Sequence, residues 1–151
     1  MSKIIIFACN WGAYAGAESA GQEHLAYPPH VRLVRLICLG RLHPGLILRA
    51  FELGAAGVLV LGCPPHECHY GVGSDQIEEV FEQARGLAHL LGLDEERLQL
   101  DWVSPGDGAA FAQKVETFVR QVEIARSHTS VAPLGLEKDL GRVRPGESVG
   151  V

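Results

Sequence analysis

Gly57-Val58-Leu59-Val60-Leu61-Gly62-Cys63-Pro64-Pro65-His66-Glu67-Cys68-His69-Tyr70 decides how this chain reads. The apolar run over residues 57–61 has no polar alternation, as expected of a strand buried on both faces. The loop after it carries two thiols and two imidazoles. Beyond the loop, Ser74-Asp75-Gln76-Ile77-Glu78-Glu79 reads as a capped helix start. Such a unit places its loop at the carboxyl edge of a sheet, where ligands bind in open α/β folds.

The remaining cysteines also end strands. Cys9 closes Lys3-Ile4-Ile5-Ile6-Phe7-Ala8, and Cys38 closes Val31-Arg32-Leu33-Val34-Arg35-Leu36-Ile37. If these strands are parallel neighbours, the sulfurs of Cys9, Cys38, Cys63 and Cys68 converge on one edge of one sheet. That convergence is the central expectation.

The elements between them complete a β-α repeat. Residues 13–25 are rich in small side chains and read as a helix that Pro28-Pro29 ends. Arg32 and Arg35 put the strand over 31–37 near a sheet edge. Residues 43–54 form a helix, with Pro44 in its first turn and Gly54 just past its end. Ile77, Val80, Phe81, Ala84, Leu87, Ala88 and Leu91 give 75–91 a helical apolar stripe. A strand over 98–103 and a helix over 109–126, with Phe111, Val115, Phe118, Val119 and Val122 inward, finish the series. Four β-α units predict an α/β fold: a three-layer, open parallel sheet of four strands. It is flavodoxin-like with one strand fewer, in the order 2-1-3-4, with Cys9 beside Cys63 at the switch point. Residues 1–126 form the domain, and 127–151 an aperiodic C-terminal tail, flexible or docking on a partner.

Composition narrows the function. A chain of 151 residues with 47% hydrophobic content suits one domain with a proper core. A net charge of −5 argues against nucleic acid, whose binding needs Lys and Arg on phosphates. No apolar run approaches the ~18 residues of a membrane span. The N-terminus runs into a strand rather than a signal peptide, so a cytoplasmic protein without membrane insertion is expected. That compartment keeps thiols reduced, so four cysteines point to metal, cluster or redox chemistry rather than disulfides.

Spacing leaves the choice of metal open. Zinc takes four Cys or Cys/His donors tetrahedrally. A 2Fe–2S cluster takes four thiolates. Two isolated cysteines and one C-x4-C match neither a zinc ribbon nor a plant-type ferredoxin in full. His66 and His69 are candidate ligands, or donors of hydrogen bonds to sulfur that would tune a cluster. Trp11 and Tyr70 are candidates for a hydrophobic shield. Phosphate-cradling glycine motifs and a serine nucleophile elbow are absent. A thiol-dependent enzyme using Cys63 or Cys68 needs a depressed thiol pKa.

Taken in order, Cys9-Asn10-Trp11, Tyr27-Pro28-Pro29 with Val31-Arg32, Cys38-Leu39-Gly40-Arg41 and Gly62–Tyr70 resemble the delta-subunit family of methyl-viologen-reducing hydrogenase, over about residues 3–126. The resemblance implies a non-catalytic electron-transfer subunit of an oxidoreductase complex, carrying one 2Fe–2S cluster. It implies Cys9, Cys38, Cys63 and Cys68 as ligands, with Asn10, Trp11, Arg41, His66, His69 and Tyr70 around them. It implies as partners a heterodisulfide-reductase-like subunit together with a hydrogenase or formate dehydrogenase-like subunit. The family commonly has further cysteines at the positions of Gly12 and Ala8, absent here, so a zinc-binding or cluster-free structural adaptor of the same complex is the alternative.

Overall fold

In the computed structural model, which describes residues 2–128, four strands alternate with four helices. In chain order they are β1 (Ile4–Cys9), α1 (Ala13–Gln22), β2 (Val31–Leu36), α2 (Pro44–Glu52), β3 (Gly57–Gly62), α3 (Gly73–Leu90), β4 (Leu98–Trp102) and α4 (Gly108–His128). Single 3-10 turns at Leu39–Arg41 and Glu95–Arg97 precede α2 and β4. The strands make one parallel sheet in the order β2-β1-β3-β4, as the β-α pattern predicts. Of the tail, Ser127 and His128 continue α4, and the remainder lies outside the described residues.

Strand parity sorts the core into two layers. Ile4, Ile6 and Ala8 of β1 join Leu59 and Leu61 of β3 under Phe111, Val115, Phe118, Val119 and Val122 of α4. Phe7 and Cys9 join Val58 and Val60 on the opposite face, under Ile47 of α2 and Ile77, Phe81 and Ala84 of α3. Each fully buried large apolar side chain contributes roughly 1.5–3 kcal/mol, so this pattern fixes the register. A slip of one residue would move Cys9 beneath α1 and α4. β3 is buried throughout, whereas β2, at an edge, exposes Arg32 and Arg35. Arg35 lies over the Tyr14 ring, 4.9 Å from its centroid.

Most boundaries shift by one or two residues from the sequence reading, and two departures have a visible cause. α1 stops at Gln22 rather than running on to Leu25, because His24 takes a left-handed conformation with φ 57° and the Leu25 N–H turns back to the Ala20 carbonyl. No glycine marks that stop. Ser74 reads in the sequence as the cap of α3, but the helix begins at Gly73, its cap is Val72, and no side chain caps it. Ser74 thus lies inside the first turn, buried.

α1 and α4 meet at a glycine. A Cβ on Gly108 would lie 2.5 Å from Ala20 N and 2.9 Å from Ala20 Cα, and a backbone neighbour cannot yield as a side-chain tip can. Gly108→Ala is therefore expected to lower the unfolding free energy by about 1–3 kcal/mol through overpacking. Gly86, exposed on α3 with nothing within 4 Å of its Cβ position, is the control. Gly86→Ala should raise stability by about 0.5–1 kcal/mol. Urea unfolding of both variants measures the contrast, and equal effects would contradict the close approach.

Candidate functional site

All four cysteines line one small cavity at the carboxyl ends of β1 and β3. Pairing β1 with β3 brings Ala8 level with Leu61, so Cys9 and Cys63 leave the sheet side by side. Their sulfurs stand 3.3 Å apart and both are buried. Cys38 begins the turn after β2, where its sulfur accepts the Gly40 N–H at 3.4 Å. Cys68 arrives from the loop between β3 and α3. Two turns shape that loop, the Glu67 N–H meeting the Pro64 carbonyl and the Gly71 N–H meeting the Cys68 carbonyl. His66 and Gly71 within it adopt φ values of 69° and 83°.

The thiols fall into two pairs. Cys9 and Cys63 form the inner one. Cys38 and Cys68 form the outer one, flanking Gly73 at the start of α3. A Cβ at Gly73 would lie 2.5 Å from Cys38 Sγ and 2.9 Å from Cys68 Sγ, so only glycine leaves these sulfurs their places. Leu39, Ile77 and Trp102 close the cavity with apolar surface, and no charged side chain is among its described lining residues. The void measures about 10 Å³, close to the space one water needs. Among the described residues, no three His, Cys, Asp or Glu side chains gather closely enough to hold a single metal ion.

Backbone amides supply the positive field. N–H groups of Trp11, Gly12 and Leu39 face the Cys9 sulfur, and that of His69 faces Cys63. Those of Tyr70, Gly71, Gly73 and Ser74 face Cys68. The hydrogen bond from Cys63 brings the Cys9 thiol down to about 6, against the upward push of burial. Cys63, keeping the shared proton beside an anionic neighbour and itself buried, moves up. Burial likewise raises Cys38, with the Gly40 amide opposing. For Cys68, burial pushes upward but the amides outweigh it, and the thiol is lowered. A buried thiolate needs such donors, because desolvation otherwise favours the neutral form.

The side chains expected around the thiols are arranged differently from the cysteines. Asn10 Oδ1 accepts from Arg35 Nε at 2.7 Å. Trp11 and His69 stack with ring centroids 3.9 Å apart, and His69 meets Tyr70 edge-on at 4.9 Å. Trp11 Nε1–H points at the Tyr70 hydroxyl, 3.4 Å away. These three rings form an exposed aromatic patch beside the cavity, and Arg41 and His66 are exposed. None of the six lines the cavity with its side chain. The amides of Trp11, His69 and Tyr70 face sulfur instead. Glu67 is tied down by the Ser104 hydroxyl at 3.3 Å. Gly73 and Ser74 line the cavity, although nothing in the sequence marks them as site residues. Gly12, where the resemblance implies a cysteine, has no room for a Cβ: it would sit 2.9 Å from the Val103 carbonyl oxygen and 3.2 Å from Cys63 Cα.

Comparisons with known proteins find relatives across nearly the whole described chain. The sequence model described as methyl-viologen-reducing hydrogenase, delta subunit, matches residues 4–124. The chain is 33% identical over 141 residues to the iron-sulfur subunit of the vhc F420-non-reducing hydrogenase of Methanococcus voltae, covering 93% of this chain and 94% of that protein. It is 39% identical over 116 residues to the iron-sulfur subunit of the F420-non-reducing hydrogenase of Archaeoglobus profundus, covering 77% and 85%. It is also 34% identical over 134 residues to a subunit of the ferredoxin:CoB-CoM heterodisulfide reductase of Methanosarcina mazei. That match covers 89% of this chain but 16% of the larger protein. No helix among the described residues is long and apolar enough to cross a membrane.

The inner thiol pair predicts a pH dependence in metal-free, reduced protein. Folding depresses the Cys9 pKa to about 6, so from there up to the ordinary thiol range the unfolded chain binds more protons and stability rises with pH. That contribution is lost as pH falls through about 6. Cys63, with its pKa raised, contributes stability below the ordinary thiol range and loses it as pH climbs beyond. Urea midpoints should therefore pass through a maximum near the ordinary thiol range, and Cys63→Ala should flatten the rising limb. A rising limb unaltered in Cys63→Ala would show that the pair does not share its proton this way.

Proposed function

We propose that this chain, which belongs to the methyl-viologen-reducing hydrogenase delta-subunit family, is an electron-transfer subunit that holds one 2Fe–2S cluster on Cys9, Cys38, Cys63 and Cys68. The observation that carries the reading is the meeting of four thiols, from three separate segments, around one apolar, amide-lined cavity. Two pairs of thiols suit a cluster that takes four thiolates on two irons. Zinc, the other metal the spacing left open, would draw the same four thiols onto one ion, and metal analysis separates the two readings.

The cluster, when bound, supplies one-electron chemistry. The chain's own part is to hold and insulate it. The amides of Trp11, Gly12, Leu39, Gly40, His69, Tyr70, Gly71, Gly73 and Ser74 would stabilise anionic sulfur by hydrogen bonding, which also sets reduction potential. Leu39, Ile77 and Trp102 would keep water out. The cavity is small, so the two sulfur pairs must spread to admit iron and sulfide.

The partners in this reading are a heterodisulfide-reductase-like subunit together with a hydrogenase or formate dehydrogenase-like subunit. Support for the first is the match to a segment of the Methanosarcina mazei heterodisulfide reductase, in which a body of this kind lies within a longer chain. Residues 1–126 would be the cluster-binding domain of a cytoplasmic, non-catalytic protein of the complex, with the C-terminal segment as a docking arm.

Oxygen-free purification tests this directly. About two iron and two acid-labile sulfide per chain are expected, with a paramagnetic signal on reduction. Zinc alone, or no metal, would overturn the proposal. Gly73→Ala should lose most of its iron while keeping the far-ultraviolet circular dichroism of the wild type, because its methyl takes the space of the outer sulfurs. Cys38→Ala and Cys63→Ala should do the same by removing a ligand.

A further inference from the structure

Among the described residues, the Ser74 hydroxyl is the one buried side-chain oxygen or nitrogen with no hydrogen-bond partner. Ser74 is 5% exposed and lines the cysteine cavity. A serine just before a helix ordinarily caps it, but Ser74 is the second residue of α3, whose cap is Val72. Buried hydroxyls are almost always paired, so one that is not calls for an explanation.

The explanation lies in what the cavity offers. The side-chain heteroatoms lining it, apart from this hydroxyl and the Trp102 ring nitrogen, are the four sulfurs. Indole N–H donates and cannot accept. A neutral thiol is a weak acceptor, whereas an anionic sulfur is a strong one. The Ser74 backbone N–H faces Cys68, and the residue lines the same cavity although its hydroxyl bonds none of the four sulfurs as they stand.

We infer that the Ser74 hydroxyl donates a hydrogen bond to an anionic sulfur of the group bound in the cysteine cavity, a thiolate ligand or an inorganic sulfide, and thereby raises its reduction potential. The inference rests on the iron–sulfur reading above. Reduction adds negative charge to the cluster, so the bond is stronger in the reduced state and stabilises it. Without the anionic sulfur the same hydroxyl is a burden on the fold. One substitution therefore has opposite effects on the two forms of the protein.

Ser74→Ala, Ser74→Thr and wild-type chains, purified without oxygen, decide the matter. Ser74→Ala should retain iron and sulfide. At a fixed potential its ratio of reduced to oxidised cluster should fall about tenfold, a one-electron shift of about 59 mV downward, with Ser74→Thr recovering most of the difference. In the metal-free state Ser74→Ala should unfold at a higher urea concentration than wild type, because the unpaired hydroxyl is gone. If Ser74→Ala does not load, Ser74→Thr against Ser74→Val, matched in shape, makes the same comparison, with the lower potential expected for Val. A cluster at the wild-type potential in the variant lacking the hydroxyl overturns the inference and leaves the iron–sulfur reading standing. Wild-type protein free of iron and sulfide overturns both.

Discussion

The parallel pairing of β1 with β3 is the constraint from which the rest follows. It puts two strands that lead to cysteines at the centre of the sheet, level with one another, with the chain leaving in opposite directions from their ends. Ligand sites form at such a reversal because the following loops diverge and leave a crevice. Here the crevice is nearly filled by sulfur. Burial of β3 along its whole length and of β1 at five of six positions makes the register costly to change. The 3.3 Å separation of Cys9 and Cys63 is thus a property of the sheet rather than of a flexible loop.

The site handles charge with peptide dipoles. Burying lysine or arginine beside the sulfurs would itself demand solvation. Amide N–H groups cost no net charge, and those of a helix's first turn have no partner within the helix. Gly73 and Ser74 contribute such groups from α3, while loop amides from the three cysteine-bearing segments supply the others. The result is an apolar pocket suited to negative sulfur, in which the Cys63 hydrogen bond, with help from the amides, depresses Cys9 to about 6 while Cys63 keeps the proton.

Much of this was legible in the residues. Apolar runs and their spacing gave the strands, the order of the sheet and the meeting of Cys9 with Cys63, because hydrophobic period and parallel connectivity are strong rules. What was not legible depended on backbone direction. His69 and Tyr70 attract notice for their rings, yet their rings stack outward and their N–H groups face the thiols. Asn10 is a natural neighbour of Cys9 in sequence, but Arg35 claims its side chain. Ser74 looks like a cap in the sequence, and only the earlier start of the helix, at Gly73, leaves its hydroxyl buried without a partner in the wall of the cysteine cavity. Gly73 carries no chemical signal at all, since its importance is the volume it does not occupy.

The two pairs of sulfurs are anchored unequally. Cys9 and Cys63 issue from adjacent central strands, whereas Cys38 follows an edge strand and Cys68 is partly exposed in a surface loop. Anything seated among them is gripped hard on one flank and lightly on the other.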